Sequence, residues 1–162
     1  MCRWRKYLAL GAAALLITGC DKVDNTRLPR VPVNLIFWTE ADWITHGVHG
    51  AGGYERFIRA KRIPADYPYK DSESTGFGGI LLCTTYLGEV QAFDLACPVE
   101  CNPDVTVFIN EDMNAECPVC HSCYDVFSLM GGPVSGKAAQ EGYGLQVYHA
   151  SHGRNGEYMV VY

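Results

Sequence analysis

Residues 96–125 read ACPVECNPDVTVFINEDMNAECPVCHSCYD, and they contain two loops that each begin with Cys-Pro-Val. The first loop begins at Cys97 and the second at Cys117. Proline after the leading cysteine stiffens each loop and removes one backbone N–H, so the remaining amides can point at sulfur and tune a thiolate-bound metal. Two such loops on neighbouring hairpins predict a shared metal site or a shared disulfide.

Short strands flank these loops in both directions. Residues 79–86 and 89–95 predict the two arms of a hairpin, with its turn at Leu87-Gly88. Short strands with frequent turns and no long helical period indicate an all-β protein, an antiparallel sandwich or barrel. The other predicted strands are 31–37, 105–109, 124–127, 145–149 and 157–162, and the stretch 45–53, rich in Gly and His, is predicted to be a loop.

The cysteine loops and the residues after them resemble a Rieske iron–sulfur domain. Such domains pair a Cys-x-His loop with a Cys-x-x-His loop, followed by Gly-Ser-x-Phe-Asp, a Gly/Pro loop and Leu-x-x-Tyr. The resemblance covers roughly residues 76–150 and implies a Rieske-like antiparallel β-sandwich with two cysteine-bearing hairpin loops. The matching positions are Cys97, Cys117, Ser122, Tyr124, Asp125, Gly131, Gly132, Pro133, Gly136, Leu145 and Tyr148.

The ligand positions depart from the family's pattern. Val99 and Cys120 stand where the family has histidines, and His121 stands where it has glycine. The chain therefore does not supply, in the family's places, the two imidazoles that raise the potential of a Rieske cluster. The ligand residues that remain are Cys97, Cys117 and Cys120. We expect Cys101 as the fourth metal ligand, and the alternatives for this place are Cys123, His121 and Glu100.

Three kinds of chemistry fit these cysteines. A [2Fe–2S] cluster on four thiolates would transfer electrons at about −400 mV, like a plant-type ferredoxin. The same residues would bind zinc tetrahedrally as a structural staple, or pair as disulfides in an oxidising compartment. The last two readings describe a non-redox structural or interaction protein. An enzyme is not expected, because the Cys-x-x-Cys of thiol oxidoreductases normally lies near a βαβ unit.

The N-terminus predicts export and a lipid anchor. Three basic residues precede the apolar run 7–17, which has the length of a signal-peptide core and is too short to span a bilayer as a stable helix. The small residues Thr18-Gly19 before Cys20 look like a lipobox. We therefore expect residues 1–19 to be a signal peptide, Cys20 to be lipidated, residues 20–30 to form a tether and residues 31–162 to form the domain.

Charge and location limit the partners of this chain. The full sequence carries a net charge of −5, and cleavage of the leader would make it more negative by removing three basic residues and no acid. Its one basic cluster is 59–62, so nucleic-acid binding is excluded. We expect a cell-envelope protein on the periplasmic or surface side, held to a bacterial membrane by lipid, with an unidentified protein partner.

Overall fold

A computed structural model describes residues 22–153 and 157–162. The predicted signal peptide and the predicted lipidation site Cys20 lie outside the described residues. The described part is mainly antiparallel β-structure, which confirms the all-β fold expected from the sequence. No helix in this part of the chain has the length and apolarity needed to cross a membrane.

Eleven strands and two α-helices are found in the described residues. The strands are β1 (Val33–Phe37), β2 (Tyr54–Phe57), β3 (Ser74–Thr75), β4 (Ile80–Thr84), β5 (Val90–Asp94), β6 (Phe108–Ile109), β7 (Ala115–Glu116), β8 (Cys123–Asp125), β9 (Gly132–Ser135), β10 (Val147–His152) and β11 (Tyr158–Val161). The helices are α1 (Glu40–His46) and α2 (Gly136–Glu141), and a short 3₁₀ turn covers Arg59–Lys61.

These strands form two sheets in the described residues. The larger sheet has the order β2-β4-β5-β10-β11-β1-β3, and the smaller has the order β6-β7-β8-β9. All strand pairings within them are antiparallel. The predicted hairpin is confirmed, because β4 pairs with β5 from Ile80 opposite Asp94 to Thr84 opposite Val90. The first cysteine loop follows β5 of the larger sheet, and the second joins β7 to β8 of the smaller sheet.

Two regions differ in detail from the sequence-based expectation. The predicted loop 45–53 begins inside α1, a seven-residue helix whose N-terminus is fixed by a capping box between Thr39 and Asp42. The predicted strand 105–109 is a strand only at Phe108–Ile109. Before it, Thr106 forms a single bridge with Ala96, because the chain must turn back here to close the first cysteine loop.

The core consists of two buried clusters, and one of them supports the cysteine loops. Cys97 and Cys117 belong to it, together with Phe93 and Tyr124, and all four are fully buried. Cys83 lies in the same cluster with no exposed surface, as expected for a small hydrophobic residue in the middle of a strand. Burial raises the pKa of the Cys83 thiol to about 12, so this thiol stays protonated and is a poor nucleophile at neutral pH.

The described part of the predicted tether already contacts the domain. Leu28 is buried, and Asp24 forms a parallel bridge with Tyr143. The Arg27 guanidinium stacks over the Tyr143 ring and donates from Nε to the Pro98 carbonyl at 3.0 Å. The boundary between tether and domain at residue 30 stays a prediction, but residues before it are packed close to the first cysteine loop.

Candidate metal centre

Three cysteines meet where the two loops face each other. The Sγ atoms of Cys97, Cys117 and Cys120 all lie within 4.8 Å of one another, and we call these residues the cysteine triad. Cys97 Sγ and Cys120 Sγ are 3.6 Å apart, which is close to the roughly 3.8 Å edge of a tetrahedron with metal–sulfur bonds of about 2.3 Å. The triad is therefore a group that can bind a metal ion.

The first loop holds Cys97 in a tight turn. The Cys97 amide donates to the Val105 carbonyl at 3.1 Å, and the Cys101 amide donates back to the Cys97 carbonyl at 2.9 Å. Cys101 is in the left-handed region, with φ of 49°. This turn directs the amides of Val99 and Glu100 toward the Cys97 sulfur, to which both donate.

The second loop holds Cys117 in the same way. The Cys117 amide donates to the Ser122 carbonyl at 3.0 Å, and the His121 amide donates to the Cys117 carbonyl at 3.1 Å. His121 has φ of 53°. The amides of Val119 and Cys120 donate to the Cys117 sulfur. The backbone of both loops thus provides N–H donors to thiolates, as expected from their Cys-Pro-Val openings.

Two buried hydroxyls complete the surroundings of the triad. The Cys120 thiol donates to Ser122 Oγ at 3.3 Å, and Ser122 Oγ also accepts from the Ala138 amide at 3.1 Å. Once Cys120 ionises, the Ser122 hydroxyl can donate to its thiolate in return. The Tyr124 hydroxyl lies 3.4 Å from Cys97 Sγ. The sequence identified both residues only as matches to a motif. Their positions two and four residues after Cys120 were the signal that they lie beside the sulfurs.

Gly136, the first residue of α2, leaves room for this arrangement. Gly136 has φ of 74°, and a Cβ there would stand 2.8 Å from Ser122 Cα and 2.9 Å from Ser122 Oγ. Any side chain would both strain the backbone and displace the hydroxyl beside Cys120. The Gly/Pro-rich stretch after the second loop therefore contributes to the site through Gly136, which leaves space for the Ser122 hydroxyl.

The three thiols of the triad differ in acidity. Burial raises the pKa of Cys97 above its usual value and raises that of Cys117 to about 12. Cys120 is also partly buried, but hydrogen bonds from Ser122 and from the two neighbouring thiols lower its pKa overall. Cys120 is therefore the first of the three to ionise, and Cys97 and Cys117 keep their protons at neutral pH until a cation displaces them.

This order of ionisation predicts a steep pH dependence of metal binding. Metals bind thiolates and release their protons, so displacing at least the protons of Cys97 and Cys117 should make zinc affinity rise with pH by at least about 100-fold per pH unit near neutrality. Competition with a zinc chelator of known affinity, corrected for the chelator's own protonation, measures this slope. A flat profile would contradict the assignment of two protonated thiols.

Loss of the tyrosine hydroxyl should weaken metal binding without unfolding the domain. The pKa of Tyr124 is raised by burial, so the hydroxyl stays protonated and can donate to a Cys97 thiolate. Groups that support a metal ligand in this way typically contribute roughly 10- to 100-fold in affinity, and we expect a loss in that range for Tyr124→Phe. Tyr143→Phe is the matched control, because its exposed hydroxyl contacts Glu141 instead. Equal zinc affinity of the two variants would rule out this role.

Three of the other predicted ligands, Cys101, His121 and Cys123, have polar contacts outside the triad. Cys101 is exposed, its Sγ donates to the Pro98 carbonyl at 3.1 Å, and it lies 3.8 Å from Arg27 Nη2. His121 Nδ1 lies 3.1 Å from a Glu116 carboxylate oxygen. Cys123 Sγ contacts the His121 carbonyl at 3.8 Å. Cys101 is not a member of the triad's group, so its predicted role as the fourth ligand stays a prediction.

The thiols of the triad are in contact but not bonded to one another. The 3.6 Å between Cys97 Sγ and Cys120 Sγ is well beyond a disulfide bond of about 2.05 Å. The six cysteines among the described residues are all free thiols. Thiols at this separation can still be joined by oxidation after a small movement, and the disulfide alternative stays open.

Comparison with protein families, with curated proteins and with solved structures finds no match to this chain. The chemistry of the site therefore has to be argued from its own geometry. The resemblance to Rieske domains stays a prediction from the sequence motifs.

Proposed function

We propose that this protein is a lipid-anchored domain of the bacterial cell envelope whose cysteine triad binds one metal ion, with zinc as the preferred ion. The observation that carries the proposal is the mutual proximity of the three sulfurs, two of them buried beneath facing loops. Zinc is bound tetrahedrally by thiolates and has no redox chemistry. It therefore suits a chain exported without the machinery that builds iron–sulfur clusters.

The spacing of the sulfurs favours one ion over a two-iron cluster. In a [2Fe–2S] cluster the four thiolates are divided between two irons, so the sulfurs on one iron stand well apart from those on the other. Three sulfurs within 4.8 Å of one another instead fit three vertices around a single ion. This argument supports zinc, or a single iron, over the cluster.

A bound ion would connect the two sheets of the domain. Cys97 comes three residues after β5 of the larger sheet, whereas Cys117 and Cys120 come from the loop after β7 of the smaller one. Binding free energy that is available only to the folded arrangement stabilises that arrangement. The proposed role is thus structural: the ion fixes the loop tips of a domain that is displayed at a membrane to a protein partner.

Electron transfer by a Rieske-like [2Fe–2S] cluster is the second candidate function. It is favoured by the hydroxyl and amide hydrogens around the sulfurs, because such hydrogen bonds set the potential of iron–sulfur sites. Ser122 and Tyr124 provide the hydroxyls. This candidate needs a fourth thiolate, and Cys101 would have to turn away from Pro98 to provide it.

Metal and sulfide analysis of one sample separates these candidates. The full-length chain is expressed with its own leader and purified from membranes in detergent. We expect a colourless protein with about one zinc per chain and no acid-labile sulfide. A brown protein with iron and labile sulfide would establish the second candidate in its place. A metal-free protein with the triad oxidised to disulfides would contradict both.

The lipid anchor has a separate test. Cys20→Ala removes the thiol that would carry the lipid, and without fatty acyl chains this chain should no longer be held as a mature lipoprotein. We expect the variant either as an unprocessed precursor or as a soluble species, measured by detergent-phase partitioning and by the mass of the N-terminal peptide. Normal cleavage together with unchanged partitioning into detergent would refute the lipobox.

A further inference from the structure

The two cysteine loops share one backbone pattern over their first five residues. In each, the amide of the fifth residue donates to the carbonyl of the leading cysteine, at 2.9 Å for Cys101 and 3.1 Å for His121. Both of these fifth residues have a left-handed φ, 49° and 53°. In each, the amides of the third and fourth residues donate to the sulfur of the leading cysteine. The loops are thus two copies of one local structure facing each other.

The side chains at the fifth position follow the same pattern. Cys101 is directed outward to the Pro98 carbonyl and Arg27, and His121 is directed outward to Glu116. A residue with left-handed backbone conformation ends the turn in both loops. Its side chain therefore lies on the opposite side of the loop from the sulfur of the leading cysteine. The backbone therefore assigns Cys101 to an outward position, in spite of its ligand chemistry.

In the second loop the fourth position lies beside the other sulfurs, because it is occupied by Cys120 of the triad. The corresponding residue of the first loop is Glu100. We propose that the Glu100 carboxylate is the fourth ligand of the site and completes a tetrahedron of three sulfurs and one oxygen. This proposal rests on the metal-binding function proposed above. Carboxylate oxygens are regular zinc ligands, at about 2.0–2.2 Å.

The surroundings of Glu100 are compatible with this role. Its side chain is half-buried, and within residues 22–153 and 157–162 its carboxylate has no hydrogen-bond or ion-pair partner. Its oxygens are not part of the 4.8 Å group, so ligation requires rotation about its side-chain bonds. Such rotation is available to a glutamate that no other group holds. The glutamate side chain is longer than that of cysteine, which would allow Glu100 to bind the ion from the side opposite the triad.

A site with three thiolates and one carboxylate would differ in preference from one with four thiolates. The hard oxygen favours zinc and cobalt over copper(I), which selects soft sulfur ligands. On a divalent ion the four anionic ligands leave a net charge of −2. The hydrogen-bond donors around the sulfurs, two hydroxyls and four amides, compensate this charge.

The test compares variants at two adjacent positions. Metal-free full-length chain in detergent is titrated with Co²⁺, whose visible spectrum reports coordination number and sulfur content, and zinc affinity is obtained by competition. Losing a group that only supports a metal ligand typically lowers metal affinity roughly 10- to 100-fold. Glu100→Gln removes a ligand, so we expect it to lower zinc affinity by at least this much. Glu100→Cys should restore tight binding and intensify the sulfur-to-cobalt charge-transfer bands. Cys101→Ser, the matched control, should bind like the wild type with an unchanged spectrum.

The outcomes distinguish this inference from the function on which it rests. If the wild type binds Co²⁺ and Zn²⁺, but Glu100→Gln binds equally well with the same spectrum, Glu100 is not a ligand and the inference is overturned. A large loss of affinity in Cys101→Ser also overturns it and assigns the fourth position to that cysteine. If the wild type binds neither ion tightly, the proposed metal-binding function itself is wrong.

Discussion

Replacing Cys117 with serine should abolish tight zinc binding and, with it, the dependence of stability on zinc. Cys117 is fully buried between the two loops and belongs to the triad, so its loss leaves two sulfurs for the ion. A ligand at 1,000 times its dissociation constant stabilises a folded protein by about 4 kcal/mol. The wild type should gain about this much in unfolding free energy under such conditions, whereas Cys117→Ser should gain almost nothing.

Chemical denaturation of the full-length chain, with and without zinc, measures the difference. The matched control is Cys123→Ser, because Cys123 begins β8 directly after the same loop, lies outside the triad, and its Sγ contacts the His121 carbonyl. It should keep the full zinc-dependent gain. An equal gain for Cys117→Ser and the wild type would mean that zinc stabilises this protein through other residues.

Replacing Asp94 with alanine should strongly lower the unfolding free energy of the domain. Asp94 is fully buried at the end of β5. Its carboxylate accepts from the amides of Phe77 and Gly78 at 2.9 Å, from the Ala96 amide at 2.7 Å, and from the Tyr148 hydroxyl. Each buried donor left without a partner costs about 1–3 kcal/mol, so three amides predict a loss of about 3 kcal/mol or more.

Asp94→Ala should also lower the zinc affinity of the metal site. The Ala96 amide directly precedes Cys97, so the carboxylate fixes the point where the first cysteine loop leaves β5. Tyr148→Phe is the matched control, because it removes the hydroxyl but leaves the carboxylate with its three amides; we expect it to lose about 1 kcal/mol. Denaturation in excess zinc and zinc competition provide the two readouts. A loss no larger for Asp94→Ala than for Tyr148→Phe would contradict the role of the carboxylate.

The parts of the fold that follow from alternating apolar residues and turn signals were predictable from the sequence. The β4–β5 hairpin and its turn were found, because the pattern repeats every two residues over both arms. Helix α1 was missed, since seven residues are too few to display a helical period. Its capping box, Thr39 with Asp42 three residues later, is the local signal in the sequence that marks the start of this helix.

The site was predictable as far as cysteine spacing determines it. The repeated Cys-Pro-Val openings predicted that two loops would bring their sulfurs together, and the triad confirms that much. The direction of Cys101 was not predictable, because it depends on a left-handed backbone conformation that is more familiar in glycine. Residue type alone therefore favoured Cys101 over Glu100 as the fourth ligand. The repeated loop geometry distinguishes the outward-facing fifth position, Cys101, from the fourth position, Glu100.

Zinc-edge X-ray absorption on the full-length chain, purified from membranes without added metal, identifies the atoms that surround the ion. We expect zinc at about one ion per chain, with three sulfurs at about 2.3 Å and one lighter ligand at about 2.0–2.2 Å. A sample whose zinc has only nitrogen and oxygen neighbours, or which carries iron with inorganic sulfide instead, would contradict this expectation.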